Sequence, residues 1–95
     1  MIYKLKFRQQ ALKEWRKLAP PIRDQFRQRL LERLENPRIE SARLHSMKDA
    51  YKIKLRAAGY RLVYQVRDAE VVVSVVAVGK RERHAVYSKA GERIK

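Results

Sequence analysis

At the start of the chain, Tyr3, Leu5 and Phe7 alternate with Lys4 and Lys6. A period of two predicts a half-buried strand over residues 2–7. From Gln9 to about Leu18 the period lengthens, and Ala11, Leu12, Trp15, Leu18 and Ala19 fall at helical spacing. The pair Pro20-Pro21 cannot continue that helix but can open another. Ile22, Phe26, Leu30, Leu31 and Leu34 give this second helix, Pro21 to Glu35, its own apolar stripe. Asp24 is assigned to its first turn, where a carboxylate favours the helix dipole. Asn36-Pro37 ends it. So short a link implies an antiparallel helical hairpin, with Trp15 and Phe26 in the core.

Residues 38–50 show no sustained period and predict an irregular connection with a short helical turn at most. Three strands follow, at about 51–56, 60–66 and 70–78. Ala57-Ala58-Gly59 and Arg67-Asp68-Ala69 form the turns of an antiparallel meander. Val71 to Val78 is apolar on both faces apart from Ser74, the pattern of a central strand covered on both sides. Gly79 is expected to end it. From about Glu82, the helical spacing of Val86, Ala90 and Ile94 predicts a last helix, with Gly91 its weak point. The order β-α-α-β-β-β-α segregates strands from helices, which makes the class α+β. Residues 1–95 form one domain, with no internal repeat or linker.

Composition narrows the function. There is no cysteine, hence no disulfide framework, thiolate metal site or cysteine nucleophile. The leading MIYKLKFRQQ lacks the apolar core of a signal peptide. The longest apolar run, Val71–Val78, is far short of the roughly 20 residues of a membrane helix. A soluble, cytoplasmic protein that does not act on a membrane is expected. Twenty-four Lys and Arg oppose ten Asp and Glu, a net charge of +14. Self-repulsion of that size opposes folding and is relieved by a polyanion, first among them nucleic acid, whose phosphates release counterions on contact.

The cations are concentrated in YKIKLRAAGYRLVYQV, residues 51–66, which contains no acid. On a strand, Lys52, Lys54 and Arg56 point one way, about 7 Å apart, while Tyr51, Ile53 and Leu55 point toward the helices. Arg61 has the parity to join the Lys52/Lys54 face if the hairpin register allows. Lys80, Arg81 and Arg83 follow the central strand, and Tyr87 lies six residues beyond Arg81. Crowded like charges without local acids suit a phosphate site. His45 and His84 are far apart in sequence, and nothing links them into an acid–base pair. The chain has no Gly-rich phosphate loop, HExxH or Ser-His-Asp signature. No metal site or cofactor is expected.

QALKEWRKL, ENPRIE, YKIKLRAAGYRLVYQV and VGKRERHAVY together resemble the RelE toxin family of bacterial toxin–antitoxin modules, across essentially the whole chain. The resemblance implies a microbial-ribonuclease-like fold and a metal-independent endoribonuclease that cuts mRNA in the ribosomal A site. In that reaction a ribose 2′-hydroxyl attacks the adjacent phosphate. It implies catalytic roles for Lys52, Lys54, Arg61, Arg81 and Tyr87, with Arg43, His45, Arg56, Lys80 and Arg83 as further nucleic-acid contacts. Lys52 and Arg61 suit charge stabilisation at the phosphoryl oxygens, and Arg81 at the leaving oxygen. Either Lys54 or Tyr87 could serve as base, because surrounding cations lower both pKa values.

The implied partners are a RelB-like antitoxin, the 70S ribosome with its A-site mRNA, and operator DNA only through the antitoxin complex. Leu44-His45-Ser46-Met47 departs from the family pattern, with histidine at a position where a basic residue would touch nucleic acid. A non-catalytic ParE-like toxin that inhibits DNA gyrase on the same scaffold is the alternative function, and a simple RNA-binding module is a third.

Overall fold

The computed structural model describes residues 2–82 and 85–94. Its elements are β1 (Lys4–Phe7), α1 (Gln9–Arg16), α2 (Pro20–Glu35), a 3-10 turn (Glu40–Ala42), β2 (Ala50–Leu55), β3 (Tyr60–Arg67), β4 (Val72–Lys80) and α3 (Ala85–Ile94). This is the α+β order read from the sequence. The four strands form one sheet in the order β1-β4-β3-β2. The meander β2-β3-β4 is antiparallel, and β1 pairs parallel with β4, Lys4 opposite Val72 and Phe7 opposite Val75. Thus β4 is central, and its apolar faces are both covered.

One face of the sheet lies under α1 and α2. Ala11, Trp15, Phe26, Leu30 and Leu34 pack there against Ile53, Leu55, Leu62, Tyr64, Val73 and Val75. The helical hairpin closes where Trp15 meets Phe26, ring centroids 6.4 Å apart. Each large aliphatic side chain removed from water here contributes about 1.5–3 kcal/mol. The other face is covered by α3, with Val86 and Ala90 against Val63, Val76 and Ala77.

Four details depart from the pattern. Val63 pairs with Ala77 but Tyr64 pairs with Val75, which leaves Val76 as a bulge in β4. The bulge turns Val76 and Ala77 to the same face, so strict alternation fails there. The strand then continues through Gly79, opposite Arg61, to Lys80, opposite Tyr60; Gly79 does not end it. Leu31 is 56% exposed and does not belong to the α2 stripe. Asp24 lies beyond the first turn of a helix that begins at Pro20 and pairs with Arg27 at 2.8 Å.

A polar clasp holds α3 to α1. Beyond Phe7, β1 no longer covers the edge of β4, and Glu14 of α1 accepts the Val78 N–H there at 3.3 Å. Arg93 of α3 donates to both Glu14 carboxylate oxygens, at 2.9 and 3.1 Å, and to the Val76 carbonyl at 2.8 Å. Arg8 donates in turn to the Arg93 carbonyl and to Gln65. Burial acts to raise the Glu14 pKa, but Arg93, the Val78 N–H and Lys89 outweigh it and hold the carboxyl below its ordinary value.

Candidate active site

Burial of Tyr51, Ile53 and Leu55 under α2 forces Lys52 and Lys54 onto the opposite face of β2. Cross-strand pairs fix the register: Ile53 lies opposite Leu62, and Tyr51 stacks on Tyr64 with ring centroids 5.7 Å apart. That register sets Lys54 directly across from Arg61. Arg61 therefore joins the Lys52/Lys54 face, as its parity allows.

The turn between β2 and β3 completes the arrangement. It covers residues 56–59, so Arg56 belongs to the turn and not to the strand. Gly59 has φ +72°, a conformation that costs glycine nothing and other residues roughly 1–2 kcal/mol. Its carbonyl accepts the Arg81 N–H at 2.7 Å. Lys54, Arg56, Tyr60, Arg61 and Arg81 thereby surround a hollow of about 210 Å³. From α3, the Tyr87 ring lies 5.2 Å from the Arg61 guanidinium, within the range of a cation–π contact.

The electrostatics match the shape. Among the described residues, Lys52, Lys54, Arg56, Arg61 and Arg81 make no ion pair with an acid. The acids are engaged elsewhere: Glu14 with Arg93, Asp49 and Asp68 with Arg38, and Glu70 with Arg67. Lys52 beside Lys54, then partial burial, then Arg61 and Arg56 hold the Lys54 pKa below the ordinary lysine value. Each of these penalises the charged form.

The remaining candidates divide. Lys80 lies one position beyond Gly79, whose partner across the sheet is Arg61. Strand alternation puts its side chain on the face opposite Arg61. Arg43 bridges to Tyr51 at the β2 edge and stays exposed, with Glu40 3.8 Å away. His45 is exposed on the following loop, which borders α3 through Met47. Arg83 and His84 lie outside the described residues.

One supporting residue was not foreseen. Arg33 donates to the Lys52 carbonyl at 3.2 Å and to the Tyr64 hydroxyl at 2.9 Å. That hydroxyl donates to the Pro37 carbonyl at 2.6 Å. Arg33 thus fixes the backbone that carries Lys52. Its three-residue offset from Leu30 on α2 was the available signal, but its target lies 19 residues on.

The small α+β fold is shared with bacterial toxins. The family model described as the ParE toxin of type II toxin–antitoxin systems matches residues 5–85, and the chain belongs to that toxin family, in its RelE branch. It is 60% identical to the mRNA interferase toxin RelE of Escherichia coli (strain K12), over 99% of both chains. A putative RelE-like toxin protein of Escherichia coli is 56% identical over the full length of both. Among solved structures, a mutant of E. coli toxin RelE in the free state superposes with a TM-score of 0.93, at 57% identity and 100% coverage of each chain. RelE in the intact E. coli RelBE toxin–antitoxin complex superposes with a TM-score of 0.82 at 59% identity, covering 85% of this chain and 99% of that one. The family model carries the ParE name while these relatives carry the RelE name. Identity of 60% along the whole chain is the finer discriminator, because the scaffold is common to both.

Proposed function

We propose that this protein is the toxin of a type II toxin–antitoxin pair and an endoribonuclease that cuts mRNA in the ribosomal A site. The observation that carries this reading is the cluster of Lys54, Arg56, Arg61 and Arg81 around one hollow, with Lys52 beside Lys54 on the same strand face and no acid among them. The names of the relatives support it.

The cluster suits transphosphorylation. Lys54, its proton loosened by like-charge neighbours, takes the proton of a ribose 2′-hydroxyl. The 2′-oxygen forms a bond to the adjacent phosphorus, and the bond from phosphorus to the 5′-oxygen breaks. The products are a 2′,3′-cyclic phosphate and a 5′-hydroxyl, whose proton comes from water. Negative charge grows on the phosphoryl oxygens in the transition state, where Lys52 and Arg61 stabilise it more than in the ground state. Arg81 neutralises charge on the departing oxygen; a guanidinium is too weak an acid to supply its proton. Tyr87, held over Arg61, offers a ring face to position a base. Such a site has no strong proton-transfer pair, so in-line orientation of the mRNA must supply much of the rate. That accounts for dependence on the ribosome.

A RelB-like antitoxin partner follows from the RelBE complex of the relative, and operator DNA would be reached through that complex. The decisive experiment is primer extension on a ribosomal complex with an empty A site, with the same mRNA free of ribosomes as control. A cut in the A-site codon only on the ribosome supports the reading. No cut in either sample refutes it and favours gyrase inhibition, the reading that the ParE-named family model keeps in view.

A further inference from the structure

The cationic hollow opens into a longer groove along the free edge of β2. This groove has a volume of about 460 Å³ and runs between α2 and the strand. Its two walls are ladders. Gln25, Arg29 and Arg33 recur every four residues on α2, and Lys52, Lys54 and Arg56 recur every two along β2 and its turn. Four helical residues rise about 6 Å and two strand residues about 6.6 Å, so the ladders run nearly in step. No acid lines the groove.

The ladder on α2 has two kinds of rung. Arg33 is committed to the fold through Tyr64 and the Lys52 carbonyl. Arg29, one turn earlier, is exposed and makes no ion pair among the described residues. By contrast Arg27, on another side of the same helix, is paired with Asp24. The strand edge is itself partly occupied: Arg33 takes the Lys52 carbonyl, and Arg43 bridges to Tyr51. Those contacts oppose addition of a further peptide strand, and leave a channel walled by side-chain cations.

We infer that this groove is a track for the sugar-phosphate backbone of single-stranded RNA leading from the cleaved phosphate, and that Arg29 is its phosphate-binding residue on α2. The inference builds on the ribonuclease reading, because Lys54 and Arg56 line both the hollow and the track. Repeating cations at near-constant spacing suit a repeating polyanion better than an acidic peptide, whose charges have no fixed period. Gln25, neutral and next along the ladder, is placed to hydrogen-bond a ribose or base edge.

The test is binding of a labelled short oligouridylate to the full chain, followed by fluorescence anisotropy over a range of salt. Each phosphate contact on a single strand contributes about 0.7 to the slope of log K against log salt. Arg29→Ala is expected to weaken binding severalfold and to reduce that slope by about 0.7, with an unchanged denaturation midpoint. Arg29→Glu should weaken it further, and Arg27→Ala should change neither quantity. Unchanged slope and affinity in Arg29→Ala would overturn the proposal, as would no binding by the unsubstituted protein at low salt. Loss of binding to a glutamate-rich peptide with RNA binding intact would assign the groove to a protein partner instead. If oligouridylate binding follows Arg29 while ribosomal mRNA goes uncut, the track stands and the catalytic reading falls.

Discussion

Arg61 and Tyr87 are 26 residues apart in the chain, yet the guanidinium of one lies over the ring of the other, 5.2 Å from its centroid. This contact joins the cations on β2 and β3 to the helix on the same face of the sheet. It also makes the presence of Tyr87 beside the cationic cluster depend on whether α3 is docked. The Glu14–Arg93 ion pair, 19% and 15% exposed, secures the far end of that helix.

Arg81→Ala should lower cleavage of ribosome-bound mRNA by on the order of 10²–10³-fold, the cost of removing one preorganised charge-stabilising group. Binding to the ribosome should be largely retained. Single-turnover cleavage and a sedimentation assay on the same samples separate the two. Equal losses in both would remove Arg81 from the chemistry.

Lys54 should titrate below the ordinary lysine value, with Lys52 the main cause. Side-chain NMR of labelled lysine measures this directly. Lys52→Met is expected to move the Lys54 pKa upward, because it removes the largest of the like charges. If Lys54 supplies the base, the pH at which cleavage accelerates should move upward with it. A Lys54 titration that ignores the substitution would contradict the assigned cause.

Glu14→Gln should free the C-terminal part of α3. Amide hydrogen exchange in α3 should quicken by an amount equivalent to about 1–3 kcal/mol, while the β3 and β4 amides stay protected. The pH dependence has a definite sign. The folded Glu14 pKa is depressed, so its stabilisation is complete above the unfolded carboxyl value near ~4.3. It is lost as pH falls through the lower, folded value. The helix should therefore loosen in acid in the parent, and Glu14→Gln should lack that dependence.

Tyr64→Phe deletes a hydroxyl that accepts from Arg33 and donates to the Pro37 carbonyl. The Pro37 carbonyl is left without this donor, and a cost of about 1–3 kcal/mol is expected in urea unfolding. Because Arg33 also holds the Lys52 carbonyl, cleavage should fall further than stability alone explains. A catalytic rate equal to that of the parent under strongly native conditions would show that Arg33 needs no help from Tyr64.

Local alternation made much of this site legible. The apolar face of Tyr51, Ile53 and Leu55 dictated where Lys52 and Lys54 point, and the four-residue turn set Arg61 opposite Lys54. What escaped the sequence was non-local. Nothing in Lys4–Phe7 says that it pairs parallel with Val72–Val75. An all-apolar β4 hides its own bulge, because Val76 and its neighbours look alike on either face. Leu31 extends an apolar stripe by spacing alone, yet it stays more than half exposed. Glu14 reads as one acid among basic residues of α1 until Arg93, 79 residues later, meets it.

The central place of β4 also bears on how the molecule is made. Both β1 and β3 pair with β4, and β1 reaches its partner across a separation of 68 positions, from Lys4 to Val72. Pairings of such long span close late in folding. While the chain is being synthesised, the hairpin of Lys52, Lys54 and Arg61 emerges before the strand that anchors Arg81 and before the helix that brings Tyr87. A nascent chain thus carries the charges without the constellation, which is complete only after β4 has joined the sheet.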